Sequence, residues 1–323
     1  MTTTRSARSS EAAGFIASLV FTGLASVRDV YFGGLFQSTS PLGVAIVAFT
    51  LCSLIFLPIA LVRSRPGVWL LLRHRRELAW VNVTTGLAWI SFFYALRTIE
   101  PLLVQIFFAG VGPLSVVWID RLAGLAPTSF GAGERPIYLG LGASLVVAAA
   151  VAVAGLSGAG PQAAPAAALG IALATGAGIS ISVSTVLSRR LNDAGVAPAA
   201  LISLRFIGAI VLASGLSLVA GTDVFAPGSK TGSAVVLGAA LILIVLPNYV
   251  NQVGISLASP LTVRAVMALG PVLIFGLQLI EGRLSPSPYS LAVAVLYGIF
   301  AVAAALARRR NIALSAVTSP CAP

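Results

Sequence analysis

The sequence predicts an all-α integral membrane protein with ten transmembrane helices, arranged as two inverted five-helix repeats. Composition is the first observation behind this prediction. Hydrophobic residues make up 58% of the chain and charged residues 9%, against about 25% charged residues in soluble domains. The second observation is a Gly-Pro pair, Gly112-Pro113, that returns 158 residues later as Gly270-Pro271, each pair inside an apolar segment.

Ten apolar segments follow one another along the chain. Each approaches the roughly 20 residues that a helix needs to cross a bilayer, and their length excludes the strands of about ten residues found in outer-membrane barrels. The segments cover residues 14–36, 42–61, 78–96, 102–119, 137–156, 166–187, 199–220, 233–252, 261–280 and 289–306.

The two halves share further landmarks. Pro41 precedes the second segment as Pro198 precedes the seventh, and Pro101 precedes the fourth as Pro260 precedes the ninth. We therefore expect a cytoplasmic tail (1–13), a first repeat (14–156), a linker (157–165), a second repeat (166–307) and a cytoplasmic tail (308–323). Because five is odd, the second repeat would enter the membrane inverted, as in many secondary transporters.

Basic residues near the segment ends predict the orientation, since cytoplasmic loops carry the excess of Lys and Arg. With the N-terminus in the cytoplasm, 14 arginines fall on the cytoplasmic side, and three basic residues, Arg97, Lys230 and Arg283, fall outside. Both termini are therefore expected in the cytoplasm. The abundance of Ala and the excess of Arg over Lys are typical of a GC-rich bacterial genome, which favours the plasma membrane.

The net charge of +11 does not indicate nucleic acid, because the basic residues lie in short loops between apolar segments. The sequence contains neither a Gly-rich phosphate loop nor zinc-like Cys/His spacing, so no cofactor and no metal are expected. The expected partners are a small-molecule substrate and the lipid bilayer, with homodimerisation left open. Catalysis is not expected, since the sequence lacks the carboxylate or His clusters of lipid-modifying membrane enzymes.

Several stretches resemble the drug/metabolite transporter superfamily, specifically its EamA-like members, over residues 14 to 307. The stretch SPLGVAIVAFTLCSLIFLPIAL resembles that family's second span, and NQVGISLASPLTVRAVMALGPVLIFGLQLIEGRLSP resembles its eighth-to-ninth spans. The resemblance implies a cavity lined mainly by spans 1, 3, 4, 6, 8 and 9, and alternating access, commonly exporting amino acids or other small metabolites. Many members carry an acidic residue before the mid-span Pro, where this chain has Gly112 and Gly270.

The Gly-Pro pairs are the first candidate functional residues. Pro113 and Pro271 each remove one helix hydrogen bond, and Gly112 and Gly270 allow close backbone approach and free carbonyls. We expect a pair of hinges that also line the substrate path, with a simple packing kink as the alternative.

Arg28 and Asp29 lie two thirds of the way along the first segment, where charges are costly and usually face an aqueous path. Asp29 is expected to bind a substrate amine or a coupling proton. Neighbours on a helix point about 100° apart, so the two are expected to be poor partners for each other. Alternatively, both lie near the outer interface, with Arg28 reaching the headgroups.

Aromatic and amide side chains supply the remaining candidates for substrate binding. The third segment contributes Trp89 and Tyr94, and the eighth contributes Asn248, Asn251 and Gln252, which fall within about one turn of each other. They predict a pocket for a small polar or zwitterionic molecule, with interhelical hydrogen bonding and an interfacial aromatic belt as the alternative. Gln105 in the fourth segment is a further candidate.

Structural or interfacial roles are expected for the other charged residues. Arg205 is expected to have a structural role or to face lipid. For Arg264, a position at the membrane interface is expected at least as strongly as a role in substrate binding. Arg97 and Glu100 are expected to form an interfacial pair or a gate at a span end. The leading hypothesis is a secondary transporter that exports small metabolites, coupled to protons or to exchange. A membrane-embedded lipid or isoprenoid enzyme and a non-transporting accessory subunit are the alternatives.

Overall fold

The computed structural model describes residues 2–122, 133–158, 163–221, 237–282 and 287–318. All regular elements in these ranges are helices, without any strand. Eight described helical segments are long and apolar enough to cross a membrane, and two shorter apolar helices cover Pro101–Val116 and Pro288–Ala304. The all-α, multi-pass membrane class expected from the sequence is therefore confirmed.

The first half of the chain forms six helices. They are α1 (Thr2–Leu35), α2 (Pro41–Arg63), α3 (Arg65–Arg73), α4 (Arg75–Thr98), α5 (Pro101–Leu122) and α6 (Glu134–Val153). Helix α1 begins well before residue 14, so the polar segment expected as a tail continues the first helix. The short α3 lies between the second and third predicted segments.

The second half forms seven helices. They are α7 (Ala164–Asp193), α8 (Pro198–Leu204), α9 (Ile207–Ala220), α10 (Leu237–Leu257), α11 (Pro260–Met267), α12 (Gly270–Glu281) and α13 (Pro288–Thr318). Helix α10 contains a π-helical turn, Leu241–Val245. Such turns often occur at functional sites. Residues 233–236 of the predicted eighth segment lie outside the described ranges.

Two expected spans are interrupted in the second half. Arg205 and Phe206 separate α8 from α9, and Ala268 and Leu269 separate α11 from α12. Pro271 consequently lies in the first turn of α12, where the missing N–H costs no helix hydrogen bond. Pro113, in contrast, lies inside the continuous helix α5. The two Gly-Pro pairs therefore have different local structures.

Helix packing joins the two halves throughout. Helix α1 packs against α10, α11 and α12, and α7 packs against α4 and α5. Helix α2 contacts both α8 and α9, α5 contacts α11 and α12, and α6 packs on α13. One large apolar cluster runs through these contacts and contains most of the buried aromatic side chains.

Glycines allow the closest of these crossings. A Cβ atom on Gly14 would come within 2.7 Å of the Ala258 Cβ, and one on Gly170 would come within 2.7 Å of the Ile99 Cγ2. Close approach through small residues is how apolar helices associate in lipid. These two glycines therefore set the crossings of α1 with the end of α10 and of α7 with the end of α4.

Candidate functional site

Arg28 and Asp29 form a buried ion pair on α1. Arg28 is 2% exposed and Asp29 is fully buried. The Arg28 Nε and Nη2 each donate to the Asp29 Oδ1, and each donor lies 2.7 Å from that oxygen. The expectation that these neighbours would be poor partners was wrong. The long Arg side chain can fold back to the adjacent carboxylate, and a buried charge is strongly destabilising without a partner. The Asp29 carboxylate is therefore not a free anion.

Helix α4 provides an aromatic surface against this pair. The Arg28 Cζ lies 4.8 Å from the centre of the Trp89 ring and 5.6 Å from that of Phe92. A guanidinium within about 6 Å of an aromatic face is attracted by the ring quadrupole. Trp89, a residue predicted to line the site, thus joins the charged residues of α1 to α4.

The pair retains hydrogen-bonding capacity. In the described part of the protein, the Arg28 Nη1 and the Asp29 Oδ2 have no hydrogen-bond partner. Buried polar atoms of this kind usually bind water, an ion or a ligand. One donor and one acceptor are therefore available together in the bundle interior.

A second buried cluster surrounds Arg205, at the break between α8 and α9. Arg205 is 2% exposed. Its Nη1 donates to the Gln252 Oε1 at 2.5 Å, and its Nη2 donates to the Ser184 Oγ at 3.0 Å and the Thr85 Oγ1 at 3.4 Å. The Thr85 and Ser184 hydroxyls bond each other at 2.8 Å. Of the two roles expected for Arg205, the lipid-facing one was wrong, and the structural one agrees with a guanidinium that connects four helical segments inside the bundle.

The three amides of α10 are all buried, as their spacing predicted. Asn248 is 4% exposed, Asn251 6% and Gln252 0%. Asn248 donates to the Ile244 carbonyl of its own helix, whereas Gln252 accepts from Arg205. The Asn251 Oδ1 and Gln252 Nε2 have no hydrogen-bond partner among the described residues. Of the three, Gln252 is the one tied to a charged neighbour.

Gln105 lies against the second Gly-Pro pair. A Cβ on Gly270 would come within 2.8 Å of the Gln105 Nε2, and the Ser26 hydroxyl lies 3.4 Å from the Gly270 carbonyl, to which it donates. Gly270 is therefore where α12 meets both α1 and α5. The Gln105 Oε1 has no partner in the described structure.

Arg264 lies against the first Gly-Pro pair. It is fully buried, so the expected interfacial position was wrong. Its Nη2 donates to the Phe108 carbonyl at 2.9 Å, and a Cβ on Gly112 would collide with its guanidinium. Gly112 thus makes room for an arginine from α11.

Tyr94 is a predicted site residue whose described contacts do not reach these clusters. It is half-buried beside the apolar core, and its carbonyl accepts from the Thr98 hydroxyl at 2.6 Å. No contact recorded for the described residues brings it to Arg28, Arg205 or Arg264. It remains a predicted site residue without structural support.

Glu100, between α4 and α5, forms a buried contact at one end of the bundle. Its Oε2 accepts from the Gly158 N–H at 3.0 Å and the Ser290 hydroxyl at 2.9 Å, and the described residues show no ion pair between it and Arg97. Burial raises the pKa of Glu100 above its ordinary value, against the two hydrogen bonds, which lower it. The expected pairing with Arg97 was wrong because the carboxylate points inward to these donors.

These features first define a class: a multi-pass, all-α membrane protein with charged side chains buried between its helices. No protein-family model and no curated protein matches the sequence. One solved crystal structure resembles the chain with a TM-score of 0.64 and 21% sequence identity, over 93% of this chain and 97% of that chain. At this identity the similarity is one of fold.

Proposed function

We propose that the chain is a secondary active transporter that exports amino acids or similar small metabolites across the plasma membrane by alternating access. Coupling would come from protons or from solute exchange. Ten spans would form two inverted five-span repeats, as in the EamA-like drug/metabolite transporters that the sequence resembles. The observation that carries this proposal is that corresponding helices of the two halves make corresponding contacts with the other half.

Corresponding helices make corresponding contacts. Helix α1 packs on α10, and its counterpart α7 packs on α4, the counterpart of α10. The pairs α2 with α8 and α9, α5 with α11 and α12, and α6 with α13 each join one span to its own counterpart. A two-fold relation between the halves produces this set of pairs, and such a relation underlies the rocking motion of many transporters.

The close crossings repeat in the same manner. Gly14 lies on Ala258, and Gly170 lies on Ile99. The glycines are 156 residues apart in the sequence, and their contact residues are 159 apart. The offset matches that of the Gly-Pro pairs, which favours a common plan for both halves.

Contacts at the helix ends support the proposed sidedness. Glu100, Gly158 and Ser290 bond one another, and all three belong to segments that the arginine distribution puts outside. Arg189 donates to the Ile255, Ser256 and Ala258 carbonyls, and these residues belong to segments expected inside. Residues assigned to one side are thus in contact with each other, in agreement with both termini in the cytoplasm.

Efflux from cells tests the proposal. Cells expressing the chain would be preloaded with labelled amino acids, purines and cationic dyes, with and without a protonophore. We expect faster loss of one compound class than from cells carrying the empty vector. An unchanged panel, with the protein verified in the membrane, would contradict export of these compounds.

A further inference from the structure

The charges inside the bundle do not balance. Away from the span ends, the charged side chains that the described structure buries are Arg28, Asp29, Arg205 and Arg264. Arg28 and Asp29 neutralise each other, which leaves two guanidinium groups without a carboxylate partner in the described residues. An uncompensated charge in this setting is costly, and an intramembrane charge is by default a candidate binding group.

Arg205 is better suited than Arg264 to receive an anion. The Nη2 of Arg264 is engaged by the Phe108 backbone carbonyl, which links α11 to α5. The partners of Arg205 are side-chain oxygens of Gln252, Ser184 and Thr85, which can rotate aside. The Nε of each arginine lacks a partner in the described structure, but beside Arg205 the Gln252 Nε2 is a further donor without one. A guanidinium fork matches a carboxylate in geometry.

Aromatic rings lie beside this guanidinium. The Arg205 Cζ is 5.4 Å from the centre of the Phe206 ring. Phe206 stacks on Phe49 with ring centres 4.7 Å apart, and Phe49 meets Trp89 at 5.4 Å. An organic anion with an apolar or aromatic body therefore meets both a charge and rings here. A substrate ammonium finds no free carboxylate in this part of the bundle, because Arg28 occupies Asp29.

We propose that Arg205 binds the carboxylate of the transported solute, and that this solute is an organic anion without an ammonium group. The inference rests on the proposed transport function and narrows its substrates, from amino acids or similar small metabolites to carboxylates that lack an amine. Gln252 and Ser184 position the guanidinium in the absence of the solute and give up hydrogen bonds to it when the solute binds.

Thermal unfolding of the purified full chain in detergent tests the proposal with four probes that share one ring. These are 3-phenylpropionate (anion), phenylalanine (zwitterion), phenethylamine (cation) and 3-phenylpropionamide (neutral), each at about 10 mM, together with sodium chloride and sodium acetate. A ligand that binds the folded state raises the Tm. We expect 3-phenylpropionate to raise it by about 2 °C or more, and the other three ring compounds and chloride to leave it unchanged.

Arginine variants assign the effect to a residue. Arg205→Gln should abolish the shift, and Arg205→Lys should retain a smaller one, because Lys keeps the charge but lacks the fork. Arg264→Gln is the matched control, because it removes an equally buried guanidinium and should retain the shift. If Arg205→Gln does not fold, Ser184→Ala, which removes a hydroxyl that competes with the solute for the guanidinium, should enlarge the shift.

Several results would overturn the proposal. One is a shift with chloride equal to that with 3-phenylpropionate, which would make Arg205 the site of a simple inorganic ion. Another is a shift with phenethylamine or phenylalanine equal to that with the anion. The third is the absence of a shift with any probe. An anion shift that survives Arg205→Gln would do the same.

Flux measurements separate this inference from the proposed function. Protonophore-sensitive movement of a zwitterion or amine, without any effect of the anion, would leave transport standing and remove the role of Arg205. Binding of 3-phenylpropionate without movement across a liposome membrane would leave the Arg205 site standing and contradict transport.

Discussion

At the scale of single residues, the central feature is a carboxylate that is already paired. Arg28 donates twice to Asp29 inside the bundle, and Trp89 covers the guanidinium. This arrangement makes Asp29 part of an ion pair and not a free carboxylate. It also makes Trp89 and Phe92 the aromatic contacts between that pair and α4.

Asp29→Asn should destabilise the protein and abolish or uncouple transport. The change leaves the Arg28 charge buried without its partner, which costs about 3–5 kcal/mol. The double variant Arg28→Gln with Asp29→Asn removes both charges, so its Tm should lie closer to that of the wild type. Normal pH-dependent transport by Asp29→Asn would remove this carboxylate from the mechanism.

Trp89→Ala should weaken substrate binding by about 2- to 10-fold, the range that corresponds to a lost aromatic contact of roughly 0.5–1.5 kcal/mol, because Trp89 meets Phe49 beside the proposed Arg205 site. The measurement is a binding titration with the solute identified by efflux. Trp80→Ala is the matched control, because Trp80 lies on the same helix and is 61% exposed. Equal affinity of the Trp89 variant and the wild type would give this ring a packing role alone.

At the scale of helices, the two Gly-Pro pairs differ in a way that bears on motion. Gly270-Pro271 starts α12 after a break, and Gly112-Pro113 lies inside α5 against Arg264. Gly270-Pro271 therefore follows an existing break, whereas Gly112-Pro113 removes a backbone hydrogen bond within a continuous helix. Both meet the facing half of the chain.

Pro113→Ala should slow turnover several-fold, because the change restores a backbone N–H inside α5 and stiffens that helix. Pro271→Ala should slow it less, because Pro271 lies in the first turn of α12, where no helix hydrogen bond is missing. The initial rate of solute efflux is the readout. Pro58→Ala is the control, since Pro58 lies inside α2 and is exposed. Wild-type rates for both test variants would contradict the hinge assignment.

Gly14→Ala and Gly170→Ala should destabilise the protein to a similar extent, because each new Cβ would come within 2.7 Å of the facing helix. Overpacking of this kind costs about 1–3 kcal/mol. Gly23→Ala and Gly176→Ala, on the same two helices but with nothing within 4 Å, should be neutral or stabilising, since Ala is the better helix former by about 1 kcal/mol. Thermal unfolding in detergent compares the four, and equal Tm values would argue against matching crossings.

At the scale of the whole molecule, Glu100 ties three distant segments together. Its carboxylate joins the turn between α4 and α5 to the segment after α6 and to the start of α13. These segments come from both halves, so the contact closes one end of the bundle. Its opening would be required if that end admits solute.

Glu100 should make stability depend on pH. Its folded-state pKa is raised, so the folded protein holds this proton to higher pH than the unfolded chain does. The stabilisation is complete below the unfolded pKa and is lost as the pH rises through the raised folded value. Glu100→Gln should therefore gain Tm relative to the wild type as the pH rises from about 4.5 to 7. A constant difference in Tm across that range would contradict the assignment.

The sequence predicted the membrane class and the burial of the α10 amides, because mean composition and helical periodicity decide them. It failed for Arg28 with Asp29, since the flexible Arg side chain overrides the angle between neighbours. It left a structural and a lipid-facing role open for Arg205, whose burial depends on Ser184, Thr85 and Gln252 arriving from three other helices. Its depth within an apolar segment was the one available signal.

The most direct test of alternating-access transport is solute flux with the purified chain in liposomes. Labelled 3-phenylpropionate and phenylalanine would be followed under an imposed pH gradient, and separately with unlabelled solute on the opposite side. Alternating access predicts that one solute accumulates against its gradient, driven either by the pH gradient and stopped by a protonophore, or by the unlabelled solute. Folded protein that moves no solute, or that passes it at a rate independent of both gradients, would contradict coupled transport.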